Sequence, residues 1–213
     1  FGTLVTIRGS SLLGKGAASD DTNISARLGT TKADVVFANG TLVVLDAADA
    51  AAGSVNITLV ATSGAKTVET SGWTYTELGE IDSVSPSYGQ FGTRVELAGA
   101  RMLGGASDVK TVTLAGVPAF VSNATADKIS LVAASSPTTG TGDIVITALS
   151  GAQVSLADGF EYKTASQISN VEPAEGQLGT VVTISGAHLR GSGANITQVT
   201  LAGIEATIQS ESN

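Results

Sequence analysis

A chain of 213 residues that is 42% hydrophobic holds apolar material for about two ordinary domains, which excludes intrinsic disorder. Its formal net charge of -8 opposes a phosphate backbone and an anionic lipid surface, and no run nears the roughly 20 apolar residues of a membrane span, so neither nucleic acid nor direct membrane insertion is expected. With no cysteine there is no disulfide, no thiolate nucleophile and no thiolate metal site.

The first element in chain order is Phe1-Gly2-Thr3-Leu4-Val5-Thr6-Ile7-Arg8-Gly9, where Leu4 and Thr6 alternate with Val5 and Ile7 as in a half-buried strand. Asp20, Asp21 and Asn23 follow in a polar stretch that reads as a solvated loop, although clustered oxygen donors are also what calcium takes. Leu45 to Ala52 is Ala-rich, too short for a helix with caps, and reads as a loop; Asp46 and Asp49 within it carry no metal-ligand spacing. Ser63-Gly64-Ala65 marks a turn, and Gly72-Trp73-Thr74-Tyr75 closes the segment as a last strand whose aromatic residues sit at alternate, core-facing positions.

From Ile81 the pattern starts again. Ile81-Asp82-Ser83-Val84-Ser85-Pro86 reads as a first strand halted by proline, with Gly89 at the bend into the next. Phe91-Gly92-Thr93-Arg94-Val95-Glu96-Leu97-Ala98-Gly99 repeats the opening motif, 90 residues on, and Val112 and Leu114 alternate with Thr111 and Thr113 before Ala115-Gly116. Ser150-Gly151-Ala152 and Gly159-Phe160-Glu161-Tyr162 lie 87 residues after their counterparts at Ser63 and Gly72. A third round begins at Ile168-Ser169-Asn170-Val171-Glu172-Pro173 and runs through Gly176, Leu178-Gly179-Thr180-Val181-Val182-Thr183-Ile184-Ser185-Gly186 and Thr200-Leu201-Ala202-Gly203, again 87 residues behind the second.

Period two, short strands and turns inside a repeat of this length predict an all-β fold of tandem immunoglobulin-like Greek-key sandwiches. The order Ile-x-x-Val-x-Pro, Gly, Gly-Thr-x-Val-x-Leu/Ile-x-Gly, Val-x-Leu-Ala-Gly, Ser-Gly and Gly-Phe-x-Tyr resembles the IPT/TIG domain family. The expected division is 1–80, a repeat lacking its first strand; 81–163, a complete repeat; and 164–213, the first half of a third. The resemblance implies a module used in plexin-type receptor ectodomains, in microbial surface proteins, beside some carbohydrate-active enzymes and in certain transcription factors. The last of these rely on basic loops, which this acidic chain does not have.

No constellation for chemistry emerges. His188 is the one histidine, placed in a loop where the second repeat has Arg101, and without a second histidine or a cysteine it completes neither a nucleophile system nor a zinc site. The expectation is therefore no enzyme, no cofactor, no catalytic residue and no metal ligand.

Asn23, Asn39, Asn56, Asn123 and Asn195 each open an Asn-x-Ser/Thr triplet, while only Asn170 and Asn213 do not, which makes the five expected sites of covalent glycan and points to an extracellular or cell-surface location. Ser135-Ser136-Pro137-Thr138-Thr139 is a further expected acceptor of O-linked sugar.

The expected function is an extracellular structural repeat protein, a subunit or segment of a filament, stalk or adhesin. Its partial terminal repeats are expected to be completed by strands from neighbouring copies of itself. The alternatives are a ligand-binding receptor ectodomain and an accessory module of a carbohydrate-active enzyme. Only 4% of residues are aromatic, which disfavours a sugar-stacking platform.

Overall fold

A computed structural model describes residues 2–14 and 24–212. Every regular element among them is a β-strand, as the period-two patterning requires.

The first repeat contains β1 (Thr3–Arg8), β2 (Ser25–Leu28), β3 (Thr31–Ala38), β4 (Leu42–Ala47), β5 (Gly53–Val60) and β6 (Lys66–Tyr75), hydrogen-bonded in the order β1-β4-β3-β2-β5-β6. β3 serves two sheets at once: Thr31 to Ala33 pair with β2, then Asp34 to Ala38 pair with β4, with a register shift between Val35 and Phe37. Val5, Val43 and Leu45 from one side meet Ala26, Leu28, Ile57 and Leu59 from the other in one buried cluster. Leu45, read as part of a loop in the sequence, is instead fully buried in β4. The run after it is strand as far as Ala47, because alternation with Val43 and Ala47 faces the core and outweighs the alanine-rich composition.

The second repeat shows strands ahead of its Gly-Thr motif that have no counterpart among the described residues of the first. β7 (Glu80–Ser85) stops before Pro86, and β8 (Tyr88–Gly89) follows; then come β9 (Arg94–Ala100), β10 (Val109–Leu114), β11 (Val117–Pro118), β12 (Phe120–Ala124), β13 (Lys128–Val132), β14 (Gly140–Ala148) and β15 (Gln153–Tyr162). Two sheets, β11-β10-β14-β15-β8 and β12-β13-β9-β7, enclose Leu97, Val112, Leu114, Ile129, Leu131, Ile144, Ile146 and Phe160. β8 runs parallel to β15, with Tyr88 beside Glu161 and Gly89 beside Tyr162.

Equivalent aromatics of the two repeats differ in burial. Phe160 and Tyr162 are buried, whereas Trp73 and Tyr75 at the same places on β6 are only half-buried, and among the described residues β6 has β5 as its one paired neighbour. In the third repeat, β16 (Gln167–Glu172) pairs with β17 (Thr183–Ala187) and β18 (Val199–Leu201) pairs with β19 (Ile204–Ala206). Among the described residues no apolar side chain beyond Tyr162 is buried, and Ile168, Leu178, Val181 and Ile204 face solvent.

Candidate functional site

The described asparagines of the five triplets divide by what their side chains do. Asn39 sits in the β3–β4 turn, where its Oδ1 accepts from the Leu42 amide at 2.7 Å and the Thr41 amide at 2.9 Å. Thr125 performs the same turn closure in the second repeat, its Oγ1 accepting from the Lys128 amide at 3.0 Å. Asn56 lies at the bulge of β5, its Oδ1 accepting from the Ser71 amide at 2.9 Å; Asp143 does the same for the Asp158 amide at 3.0 Å, 87 residues on. These two asparagines therefore hold the fold in positions where the second repeat uses Thr and Asp. Asn123 on β12 and Asn195 in the β17–β18 connection are exposed. Asn23, with Asp20 and Asp21, lies outside the described residues.

Asp46 stands across from Asp34 where β3 and β4 pair, and among the described residues no three histidine, aspartate or glutamate side chains gather as a metal site with either Asp46 or Asp49. His188 occupies a left-handed turn with φ of 54°, matching Arg101 at 53° and Ser11 at 54° in the earlier repeats, and its carbonyl accepts from the Ser166 hydroxyl. The structure brings together something the sequence landmarks did not: the joints between repeats.

At the first joint a cavity of about 270 Å³ lies between Thr3, Ala47 to Ala50 and Trp73 to Tyr75 of the first repeat and Gly104, Gly105, Ser150 and Ala152 to Val154 of the second. The Leu4 amide, on the flank of β1 away from β4, donates to the Ser150 carbonyl at 3.0 Å. Gly2 and Gly151 meet backbone to backbone, so closely that a Cβ on Gly151 would stand 2.3 Å from the Gly2 oxygen. Both have φ near the left-handed region, 80° and 89°, which glycine adopts without cost. Arg101 secures the connecting segment by donating from Nε to the Leu78 carbonyl at 2.9 Å and by pairing with Glu77 and Glu80 at 3.5 and 3.3 Å.

The second joint reuses the same positions. A shallower cleft lies between Gln90, Phe91 and Ser135 of the second repeat and Ala165 and Ser166 of the connection. The Gln90 side chain makes both bonds to Ser166, accepting from its amide at 2.6 Å and donating to its hydroxyl at 2.7 Å. Ala165 and Ser166 stand where Leu78 and Gly79 stand in the first joint, 87 residues earlier. No sequence landmark pairs a residue with a partner one repeat away, because the spacing of landmarks encodes equivalence and not contact.

Trp73 and Tyr75 form an edge-to-face pair at 5.9 Å beside the first joint, and their Nε1 and hydroxyl are buried without a protein hydrogen-bond partner among the described residues. Burial, and then the Asp49 carboxylate, push the Tyr75 hydroxyl above the ordinary phenol range; burial alone does so for Tyr162. The neutral phenols belong to the fold, so their contribution is complete below the ordinary value of about 10 and is lost as pH rises through the raised values. In an alkaline titration, phenolate absorbance from these two tyrosines is expected to appear late; phenolate forming at either of the two in the folded protein below pH of about 10 would contradict this.

The family model described as the IPT/TIG domain matches residues 1–76 and 166–213. The chain belongs to the IPT/TIG domain family. The intervening residues form a sandwich with the same order of motifs. No curated protein matches the chain.

Among solved structures similar to this IPT/TIG chain, the full extracellular region of plexin A4 is 18% identical with a TM-score of 0.49, over 88% of this chain and 16% of that one. SGBP-B of the Bacteroides ovatus mixed-linkage glucan utilization locus, solved with a mixed-linkage heptasaccharide, is 14% identical with a TM-score of 0.33, over 80% of this chain and 44% of that one. The γ-CGTase of alkalophilic Bacillus clarkii is 20% identical with a TM-score of 0.35, over 75% and 21%. The chain thus spans less than half the length of each.

Proposed function

We propose that this chain is a run of extracellular structural repeats, a segment of a surface filament, stalk or adhesin, which carries out no reaction of its own. The observation that carries this reading is the joint. Successive sandwiches are held by a backbone hydrogen bond from Leu4 to Ser150, by glycine-to-glycine contact and by the Gln90–Ser166 pair, which suits a protein whose task is to keep modules in line. The exposed triplets at Asn123 and Asn195 support a secretory route, with glycans covering surface near sheet edges.

Electron microscopy of the protein isolated from its source tests the reading. Filaments or stalks with an axial repeat commensurate with these modules are the expected result. Discrete compact particles that bind a partner saturably would overturn it in favour of a receptor-type module.

A further inference from the structure

The loop that closes the first joint is present a second time, already in shape. In Ala148 to Ala152 the Ala148 amide donates to the Ala152 carbonyl at 2.8 Å and the Gly151 amide to the Ala148 carbonyl at 2.9 Å. In Ala61 to Ala65 the same two bonds measure 2.9 and 2.8 Å, and Gly64 has φ of 84° against 89° at Gly151. The receiving side recurs as well. Gly2, Gly92 and Gly179 have φ of 80°, 86° and 87°, and the Gly2 amide to Ala47 bond of 3.1 Å is matched by Gly92 to Ala133 at 2.9 Å.

What differs is occupancy. A Cβ on Gly2 or Gly151 would collide with the other's carbonyl at 2.7 or 2.3 Å, while one on Gly64, Gly92 or Gly179 would meet nothing within 4 Å. Leu4 finds the Ser150 carbonyl, whereas among the described residues the Arg94 amide, its equivalent, meets no carbonyl outside its own sheet. The third repeat is already seated on the matching end of the second. A Cβ on Gly191, which corresponds to Gly104 of the first joint, would stand 2.9 Å from the Gln90 side-chain nitrogen.

We propose that Gly92-Thr93-Arg94 is a socket for the Ser-Gly-Ala loop of a further IPT/TIG repeat, and that Ser63-Gly64-Ala65 is the matching key for a repeat on the opposite side. Every joint of a longer row is then built by the same two short segments. This rests on the reading of the chain as a row of structural modules and names the partner of each recurring segment. A single backbone bond is too weak to recruit a free molecule, so the occupant is a tethered neighbour, for which the linker supplies a high effective concentration.

The test is a chain in which residues 81–167 occur twice in tandem, read by amide hydrogen exchange in NMR. Leu4 is expected to exchange slowly in both this chain and the original. Arg94 of the first copy is expected to slow by about tenfold or more once a complete repeat follows it. Gly151→Ala in the second copy should return Arg94 to fast exchange, while Gly64→Ala, which carries the same left-handed strain with open space around it, should leave Arg94 and Leu4 protected. Arg94 exchanging equally fast in both chains, with Leu4 slow, would overturn the repeated joint and leave the structural reading standing. Fast exchange at Leu4 itself would remove the joint and with it the support for both.

Discussion

Phe160→Ala is expected to destabilise the second repeat by about 3–5 kcal/mol, the usual range for removing a buried aromatic. The ring is fully buried between the two sheets and stands edge-to-face with Tyr162 at 5.1 Å. A module of this size has only about 5–15 kcal/mol in total, and no disulfide supplements the packing. Urea titration separates the repeats, because the chain's single tryptophan, Trp73, reports the first repeat by fluorescence while ellipticity reports all of them. The variant should lose ellipticity in an early step that leaves the Trp73 transition in place. Trp73→Ala, at the equivalent but half-buried position, should cost less. An unshifted single transition in Phe160→Ala would contradict the core described here.

Gly99→Ala should be the more damaging of two substitutions that look alike in sequence. On Gly99 a Cβ would lie 2.1 Å from the Glu80 carbonyl and 3.0 Å from the Ile81 Cα, both rigid backbone, at the register shift where β7 crosses β9. One strand must move off the other, which costs about 1–3 kcal/mol for overpacking and more if the ladder is lost. Gly9→Ala, at the same motif position in the first repeat, meets among the described residues only the side chain of Leu12, its Cδ2 at 2.8 Å, and no backbone. Chemical denaturation should show a clear loss for Gly99→Ala and little for Gly9→Ala. Equal effects would mean that the close approach of β7 is not what the glycine serves.

The all-β class, the repeated motif order and the inward faces were legible in the sequence, because Val5 against Thr6 and Val112 against Thr113 follow the pleat directly. Where reading failed, tertiary context had overridden local signals. Leu45 to Ala47 looked like loop from composition, yet the pairing of β1 and β3 on both flanks makes β4 a central strand. Trp73 and Tyr75 looked as buried as Phe160 and Tyr162, yet they are only half-buried.

The triplets at Asn39 and Asn56 look identical to those at Asn123 and Asn195 in sequence. Only the structure gives the first two a role in holding a turn and a bulge. The joint was written in Gly2, Gly92, Gly179 and the two Ser-Gly-Ala turns, but its partners sit in different repeats, and periodicity reveals only what is alike.

The parallel ladder between β8 and β15 has a mechanical meaning. The chain enters the second repeat through β7, which lies in the other sheet, passes on to β8 and leaves at the end of β15, so once β7 has yielded, pulling on the two ends drives β8 and β15 past each other along their length. The bonds from the Glu161 amide to the Ser87 carbonyl, 2.9 Å, and from the Lys163 amide to the Gly89 carbonyl, 2.7 Å, would then be strained together and not opened one after the other as in a zipper. A complete repeat resists tension in shear through this clasp, and with no covalent crosslink inside it, release lets the whole module pay out as extended chain and later refold.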